Sequence, residues 1–303
     1  MKKPALVILA AGLGSRFGGA KQTAAVDEFG HFIIDFSIYD AYKAGFDHVI
    51  LVIRPQDEMT MREKLGNRVE KYMKVSYAHQ RLEDLPEGYS LPEGRVKPWG
   101  TMHALLSARH LIDAPFAAIN ADDFYGRSSF EKMYHFLTTE AQPKRHCLVT
   151  FNIENTLTEN GYTSRGVCQK DSNGYLTEVV EHVEIYKAEN GAVSIVDGEK
   201  VFIPAGTPVS MNFWGYSPDV LEEAWKEFPA FLDKNLKSNP LKCEYYLPYL
   251  SDILIHSEKA TFQVIPTQEK WHGVTYADDL QNVVDAIRNM RDEKIYPNIL
   301  FEQ

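Results

Sequence analysis

The chain has 303 residues, 44% of them hydrophobic and 24% charged, the composition of an ordinary soluble globular protein with one large core or two modest ones. Its net charge of −10 argues against a nucleic-acid binder, although it leaves room for a local basic pocket. Three widely spaced cysteines, Cys147, Cys168 and Cys243, show no metal spacing and fit a reducing compartment.

Lys2-Lys3 and the apolar run behind it imitate the start of a signal peptide. The run is short, however, and leads into glycines rather than a cleavage site. No stretch is long enough to span a bilayer. A cytoplasmic protein is expected.

Ala5–Leu9 reads as a buried parallel strand. Directly after it comes AAGLGSRFGGAKQ, Ala10 to Gln22, with Gly12, Gly14 and Gly18 around Arg16 and Lys21. Glycines at a strand end let the backbone approach a ligand and expose N–H groups to phosphate. Arginine and lysine in the same loop supply cations for a polyanion, so the stretch points to a nucleoside triphosphate. It is not a dinucleotide fingerprint, because Phe17 stands where the third glycine belongs and the second strand runs into Arg54 rather than a carboxylate. It is not a Walker A loop either, since Gly19-Ala20-Lys21-Gln22 lacks Gly-Lys-Ser/Thr.

Further along, a helix is expected from Phe36 to Ala44, stopping at Gly45, then a strand over 48–53. A charged helix across Asp57 to Lys74 and a strand Val75–His79 follow. Leu82 to Pro98, rich in Pro, Gly and Glu, reads as an inserted loop. Thr101–Leu111 is a predicted helix and Phe116–Asn120 a buried strand, and Ser128 or Ser129 is placed to cap a helix running to Thr139. Past Phe151 the pattern turns antiparallel. A hairpin joins 166–170 to 175–181 through Gly174, with strands near 193–196, 201–203 and 208–214. Helix 218–228, strand 261–265 and a helix from Ala277 to Glu293 close the chain. The division expected is a nucleotide-binding α/β part, 1–155, and an acceptor-binding antiparallel part, 156–303, within one catalytic domain.

Two more motifs carry chemistry. Ile119-Asn-Ala-Asp-Asp123 ends a buried strand, so a carboxylate there points into the crevice where α/β sheets bind ligands. Asp122 suits magnesium, and a turn cap is the plainer alternative. In Lys97-Pro-Trp-Gly-Thr-Met-His-Ala-Leu105, Gly100 permits backbone to approach a flat base and Thr101 opens a helix. His103 reads as a packing or capping residue, and Trp99 as a lid or a loop anchor.

The G-x-G-x-R-(x)n-K pattern, the Asp122 motif and Gly100-Thr-Met-His-Ala104 together resemble the sugar-phosphate nucleotidyltransferase family of pyrophosphorylases. The resemblance implies a Rossmann-like, mainly parallel or mixed sheet with helices on both faces and a smaller antiparallel acceptor-binding subdomain. It implies nucleotide contacts from Ala10, Ala11, Gly12, Gly14, Gln80, Gly100 and Thr101, with the Gln80 amide donating and accepting at the imide edge of uracil or thymine. Arg16 and Lys21 would be catalytic and Asp122 the Mg²⁺ ligand. Gly161, Glu181 and Asn212 fall where that family holds sugar hydroxyls, although ordinary strand positions explain them as well. The family's second metal ligand would fall near Gly273 or Thr275, so it is missing or displaced. Asp278 is the nearest carboxylate and fits better as a helix cap.

The function so implied is Mg²⁺-dependent transfer from a nucleoside triphosphate, UTP or dTTP first, to a phosphorylated small molecule such as a sugar 1-phosphate. Pyrophosphate would leave, and nucleotide-sugar biosynthesis is the context. Hexose, heptose and choline phosphates all suit a polar antiparallel lid. The alternatives are an NAD(P)-dependent oxidoreductase and a non-catalytic nucleotide-sugar sensor on the same fold. Oligomeric state is unreadable from these residues.

Overall fold

The computed structural model describes residues 2–12, 25–196, 198–273 and 279–301. The N-terminal half runs β1 (Ala5–Leu9), α1 (Ile33–Ala44), β2 (His48–Ile53), α2 (Glu58–Met61), α3 (Asn67–Val69), β3 (Lys74–His79), α4 (Thr101–Ser107), β4 (Phe116–Asn120), β5 (Asp123–Phe124), α5 (Arg127–Thr139) and β6 (Arg145–Asn152). Then follow β7 (Thr163–Lys170), β8 (Leu176–Ala188), β9 (Gly191–Val196), β10 (Glu199–Pro204), β11 (Pro208–Tyr216), α6 (Asp219–Asn235), α7 (Leu247–His256), β12 (Thr261–Pro266), β13 (His272–Gly273) and α8 (Asp279–Asp292).

One sheet organises these elements, in the order β10-β9-β8-β7-β11-β4-β1-β2-β3, with β6 beside β11 and β12 beside β6. β3, β2, β1 and β4 are mutually parallel, and the remainder is antiparallel except for β12 on β6. Successive residues of β1 feed opposite faces, as the period of two demands. Leu6 and Ile8 join a core with α1, α5 and α8, while Ala5, Val7 and Leu9 join a core with α4, α6 and α7. Helices thus cover both faces, the condition for an all-buried parallel strand.

The sheet forks at β11. Its first half pairs with β7 (Val209 with Val167, Ser210 with Gly166), and its second half pairs with β4 (Trp214 with Ala118). Against β6 the register breaks between Ser210 and Phe213, so Met211 and Asn212 form a bulge at the fork. β4 and β7 thus follow one another along β11, at the C-terminal edge of the parallel strands, the place such sheets bind ligands.

Several local expectations change. The helix expected over 57–74 is broken: a wide π turn at Arg62–Gly66 separates α2 from α3. Tyr77 of β3 explains it, because its hydroxyl lies 1.9 Å from where a Cβ on Gly66 would sit, and the ring carries Arg62 at 4.1 Å. α5 is capped neither by Ser128 nor by Ser129. Glu269 accepts from the Ser128 N–H at 2.9 Å, while Ser129 Oγ turns back to the Tyr125 carbonyl. A carboxylate at a helix N-terminus satisfies both the orphan N–H groups and the dipole. α6 continues through Pro229, which loses one backbone bond, because Phe231 and Leu232 beyond it are buried. α7 has no counterpart among the elements read from the sequence.

The inserted loop packs down as a wall. Arg95 lies 3.4 Å above the Trp99 ring and donates to the carbonyls of Pro240 and Cys243, both at 2.6 Å. Trp99 is fully buried and donates to Leu82, so it is an anchor rather than a lid.

The C-terminal segment is clamped onto α1. Tyr296 donates to Asp40 Oδ2 at 2.6 Å, and Arg127 reaches the Ile295 carbonyl at 2.8 Å. Asp40 is fully buried and its carboxyl is pushed up to about 7 by that burial. The Tyr296 bond pulls the other way, and Arg127 Nε, 3.5 Å from Oδ1, is too distant to offset the burial. An acid whose folded pKa is raised keeps its proton when the unfolded chain has lost it, so stability falls as pH climbs from about 4 to about 7. Asp40→Asn should flatten that slope relative to wild type, by up to about 4 kcal/mol across the window, as denaturant melts at several pH values would read. An unchanged slope contradicts the assignment.

Candidate active site

β1 delivers the first group. Leu9 pairs with Val52 on one side and Asn120 on the other, and Ala10 donates to the Val52 carbonyl at 2.8 Å. Ala121 donates to the Leu9 carbonyl at 3.3 Å, so the Asp122 turn lies beside Ala10, Ala11 and Gly12. Gly14, Arg16, Lys21 and Asp278 lie outside the described residues.

The two neighbouring carboxylates differ in employment. Asp123 is buried and spent on the protein: Oδ1 accepts from Trp271 Nε1 at 2.8 Å and Oδ2 from Asn120 Nδ2 at 2.9 Å. Asp122 is half-buried in the turn itself. β13 runs alongside, with Gly273 opposite Asp123, and a Cβ on Gly273 would strike the Trp271 indole at 2.3 Å. Position 273 therefore cannot carry the second metal ligand. Among the described residues no group of three or more His, Cys, Asp or Glu could hold a metal ion. A lone carboxylate still fits Mg²⁺, which commonly takes one or two carboxylates plus substrate phosphates and water.

Gln80 follows β3 and its N–H is bound to the Ile53 carbonyl at 2.9 Å. Its side chain spends both amide hydrogens inside the protein, on Gly100 O at 3.1 Å and on His103 Nδ1 at 3.0 Å. The expectation that this amide both donates and accepts toward a base is corrected: only acceptance is left. Gly100 holds φ +100°, and a Cβ there would meet the Tyr245 backbone at 2.7 Å. The strip Trp99–Met102 is laced to 245–247, with Tyr245 N–H on Trp99 O, Met102 N–H on Tyr245 O and Leu247 N–H on Thr101 Oγ1. The Thr101 hydroxyl thereby caps α7, the helix missed in the sequence.

The acceptor candidates meet in part. Ser210, Gly166 and Glu181 form one row across β11, β7 and β8, and Asn212 follows at the bulge. Asn212 sits at φ 59°, a conformation a non-glycine residue rarely adopts, and its Oδ1 accepts from Trp214 Nε1 at 3.3 Å. Glu181 is exposed as a residue, yet desolvation by the surrounding protein raises its carboxyl against the pull of Arg165. Gly161, at φ 148°, lies before β7 and outside this row.

Three residues without a sequence signal surround these groups. Arg165 is buried, lies 4.5 Å over the Trp271 ring and donates to the carbonyls of Thr156 and Ser164. Burial draws it down to about 10, opposed by Asp123 and Glu181, so it remains a cation between the two carboxylates. Tyr125 is sealed in the core, and its hydroxyl accepts from the Asn120 N–H and donates to the Met211 carbonyl, both at 3.0 Å. Tyr246 is 45% exposed and donates to Glu244 at 2.6 Å. Burial, Glu244 and Glu181 all push its phenol up.

The chain is similar to a solved UDP-glucose pyrophosphorylase complexed with UDP-glucose, with a TM-score of 0.61 at 15% identity over 96% of this chain and 100% of that one. It is also similar to an inositol-1-phosphate CTP transferase from T. maritima, with a TM-score of 0.62 at 11% identity over 94% and 96%. At such identities the likeness is one of fold. No curated protein sequence matches. The family model for nucleotidyl transferase matches residues 5–283, the strand ends, the Asp122 turn and the cleft included, and the chain therefore belongs to the nucleotidyl transferase family.

Proposed function

We propose that this enzyme joins a nucleoside triphosphate, UTP or dTTP by preference, to a phosphorylated small molecule, a sugar 1-phosphate first, and releases pyrophosphate. The observation that carries the reading is the fork at β11. It sets the end of β1 and the Asp122 turn on one side and the Glu181–Asn212 row on the other. One side suits phosphates and the other hydroxyls. Residues 1–155 would serve mainly the nucleotide and 156–303 the acceptor.

In this reading an acceptor phosphate oxygen attacks the α-phosphorus in line, a P–O bond forms there, and the bond to the β-phosphate oxygen breaks. Arg16, Lys21 and the N–H groups of the glycine loop hold the β- and γ-phosphates and take up the charge of the leaving pyrophosphate. Asp122 would hold Mg²⁺, which when bound supplies charge neutralisation at the phosphates. Glu181 and Asn212 orient the acceptor by its hydroxyls. A phosphate monoester is already an anion, so no general base is required and positioning carries the rate. Three free, buried cysteines and the lack of any described helix fit to cross a membrane support cytoplasmic work. The family match sets the oxidoreductase alternative aside, and the sensor alternative requires triphosphate binding without pyrophosphate release.

Pyrophosphate release tests the roles. Lys21→Ala and Asp122→Asn should each lower kcat by about 100-fold or more with melting temperatures held. Turnover within a few-fold of wild type in both would overturn the assignment.

Asn212 separates backbone from side chain. Ala and Gly variants both lose the Trp214 bond, but only alanine keeps the left-handed strain, so Asn212→Ala should be less stable than Asn212→Gly by about 1 kcal/mol. Both should raise the acceptor KM about tenfold while the triphosphate KM stays within about twofold. An unchanged acceptor KM removes Asn212 from the site.

A further inference from the structure

His103 lies in α4, about 1% exposed, with its ring centroid 5.5 Å from that of Phe228. Packing alone does not account for its two nitrogens. Nε2 is 2.9 Å from the Asp84 backbone carbonyl, and Nδ1 is 3.0 Å from Gln80 Nε2. A carbonyl can only accept, so Nε2 carries the hydrogen. Burial holds the ring pKa down to about 4, so the imidazole is neutral at physiological pH and Nδ1 is left bare as an acceptor. Nδ1 then requires a donor from Gln80, and only the amide nitrogen can serve. At the other end of the chain the Gly100 carbonyl, 3.1 Å from the same nitrogen, makes the identical demand. Two backbone carbonyls, at Asp84 and Gly100, therefore fix every hydrogen between them. Both amide hydrogens are consumed, and Gln80 Oε1 remains, with no donor on it among the described residues.

We propose that His103 is a positioning residue for nucleobase selection: it locks the Gln80 amide so that only an oxygen acceptor faces the base. The inference rests on Gln80 facing the base in the reading above. An acceptor meets the N3–H of uracil or thymine and opposes the bare N3 of cytosine; a flipped amide reverses that preference. His103 touches no substrate and acts through Gln80.

The test is the ratio of kcat/KM for UTP over CTP, read by pyrophosphate release with a fixed acceptor. Wild type prefers UTP. His103→Leu, which keeps the apolar contact with Phe228 and removes the acceptor, should lower the ratio about tenfold. His103→Asn, which puts an amide oxygen near the Nδ1 position, should restore most of it. A purely structural role would lower both activities together and leave the ratio unmoved. A ratio within twofold of wild type in the Leu variant, or an Asn variant no better than Leu, overturns the inference and leaves the nucleotidyl-transfer reading standing. Equal use of UTP and CTP by wild type overturns it in the same way. Absence of pyrophosphate release from wild type with every triphosphate overturns the reading beneath it. Nitrogen NMR of wild type at neutral pH is independent of any variant's folding. It should show His103 protonated at Nε2 and bare at Nδ1, and the opposite tautomer or a charged ring overturns the lock.

Discussion

One buried hydroxyl keeps the two sides of the cleft in register. Tyr125 stands where β4 stops and β11 forks, accepting from the Asn120 backbone below the Asp122 turn and donating to Met211 beside Asn212. The Asp122 turn and the strained bulge are thus tied to a single oxygen inside a close-packed core. Phe213 and Phe130 hold the ring, with the Phe213 centroid at 4.9 Å. A bulge costs ladder bonds and, at Asn212, a left-handed backbone. It persists because neighbouring strands and this tyrosine over-determine it, and bulges of that kind recur beside ligand sites.

Around that tie the charges are divided by solvation. Asp123 is buried and fully bonded, and Arg165 beneath it turns its donors to backbone carbonyls. Neither is presented to a ligand. They hold Trp271 between them and so fix β13 against β5. Glu181 and Tyr246 by contrast are exposed, and Asp122 is half-buried. The site is a rigid polar scaffold with a few accessible groups on its rim, which suits a reaction run by positioning and electrostatics.

Legibility in the sequence followed locality. The strands β1, β2 and β4 were readable because parallel strands buried on both faces are written as continuous apolar runs. Gly45 ended α1 where a left-handed cap at φ 116° was needed, and Gly174 turned the hairpin at φ 83°. What could not be read depended on partners far away in the chain. Glu269 caps α5 across more than a hundred residues, Tyr77 presses on Gly66, and Leu247 takes the Thr101 hydroxyl. His103 shows the limit most clearly. By type and place it was a packing residue, and only the carbonyl of Asp84 shows which nitrogen holds the hydrogen.

Phosphorus NMR of one reaction mixture tests the central claim most directly, because it sees the bond made as well as the group released. With purified protein, Mg²⁺, UTP and a sugar 1-phosphate, the account predicts two coupled resonances of a new diphosphate diester growing together with pyrophosphate, in equal amounts. Orthophosphate growing alone would mean hydrolysis rather than transfer. An unchanged spectrum across a panel of sugar phosphates and triphosphates would contradict the account.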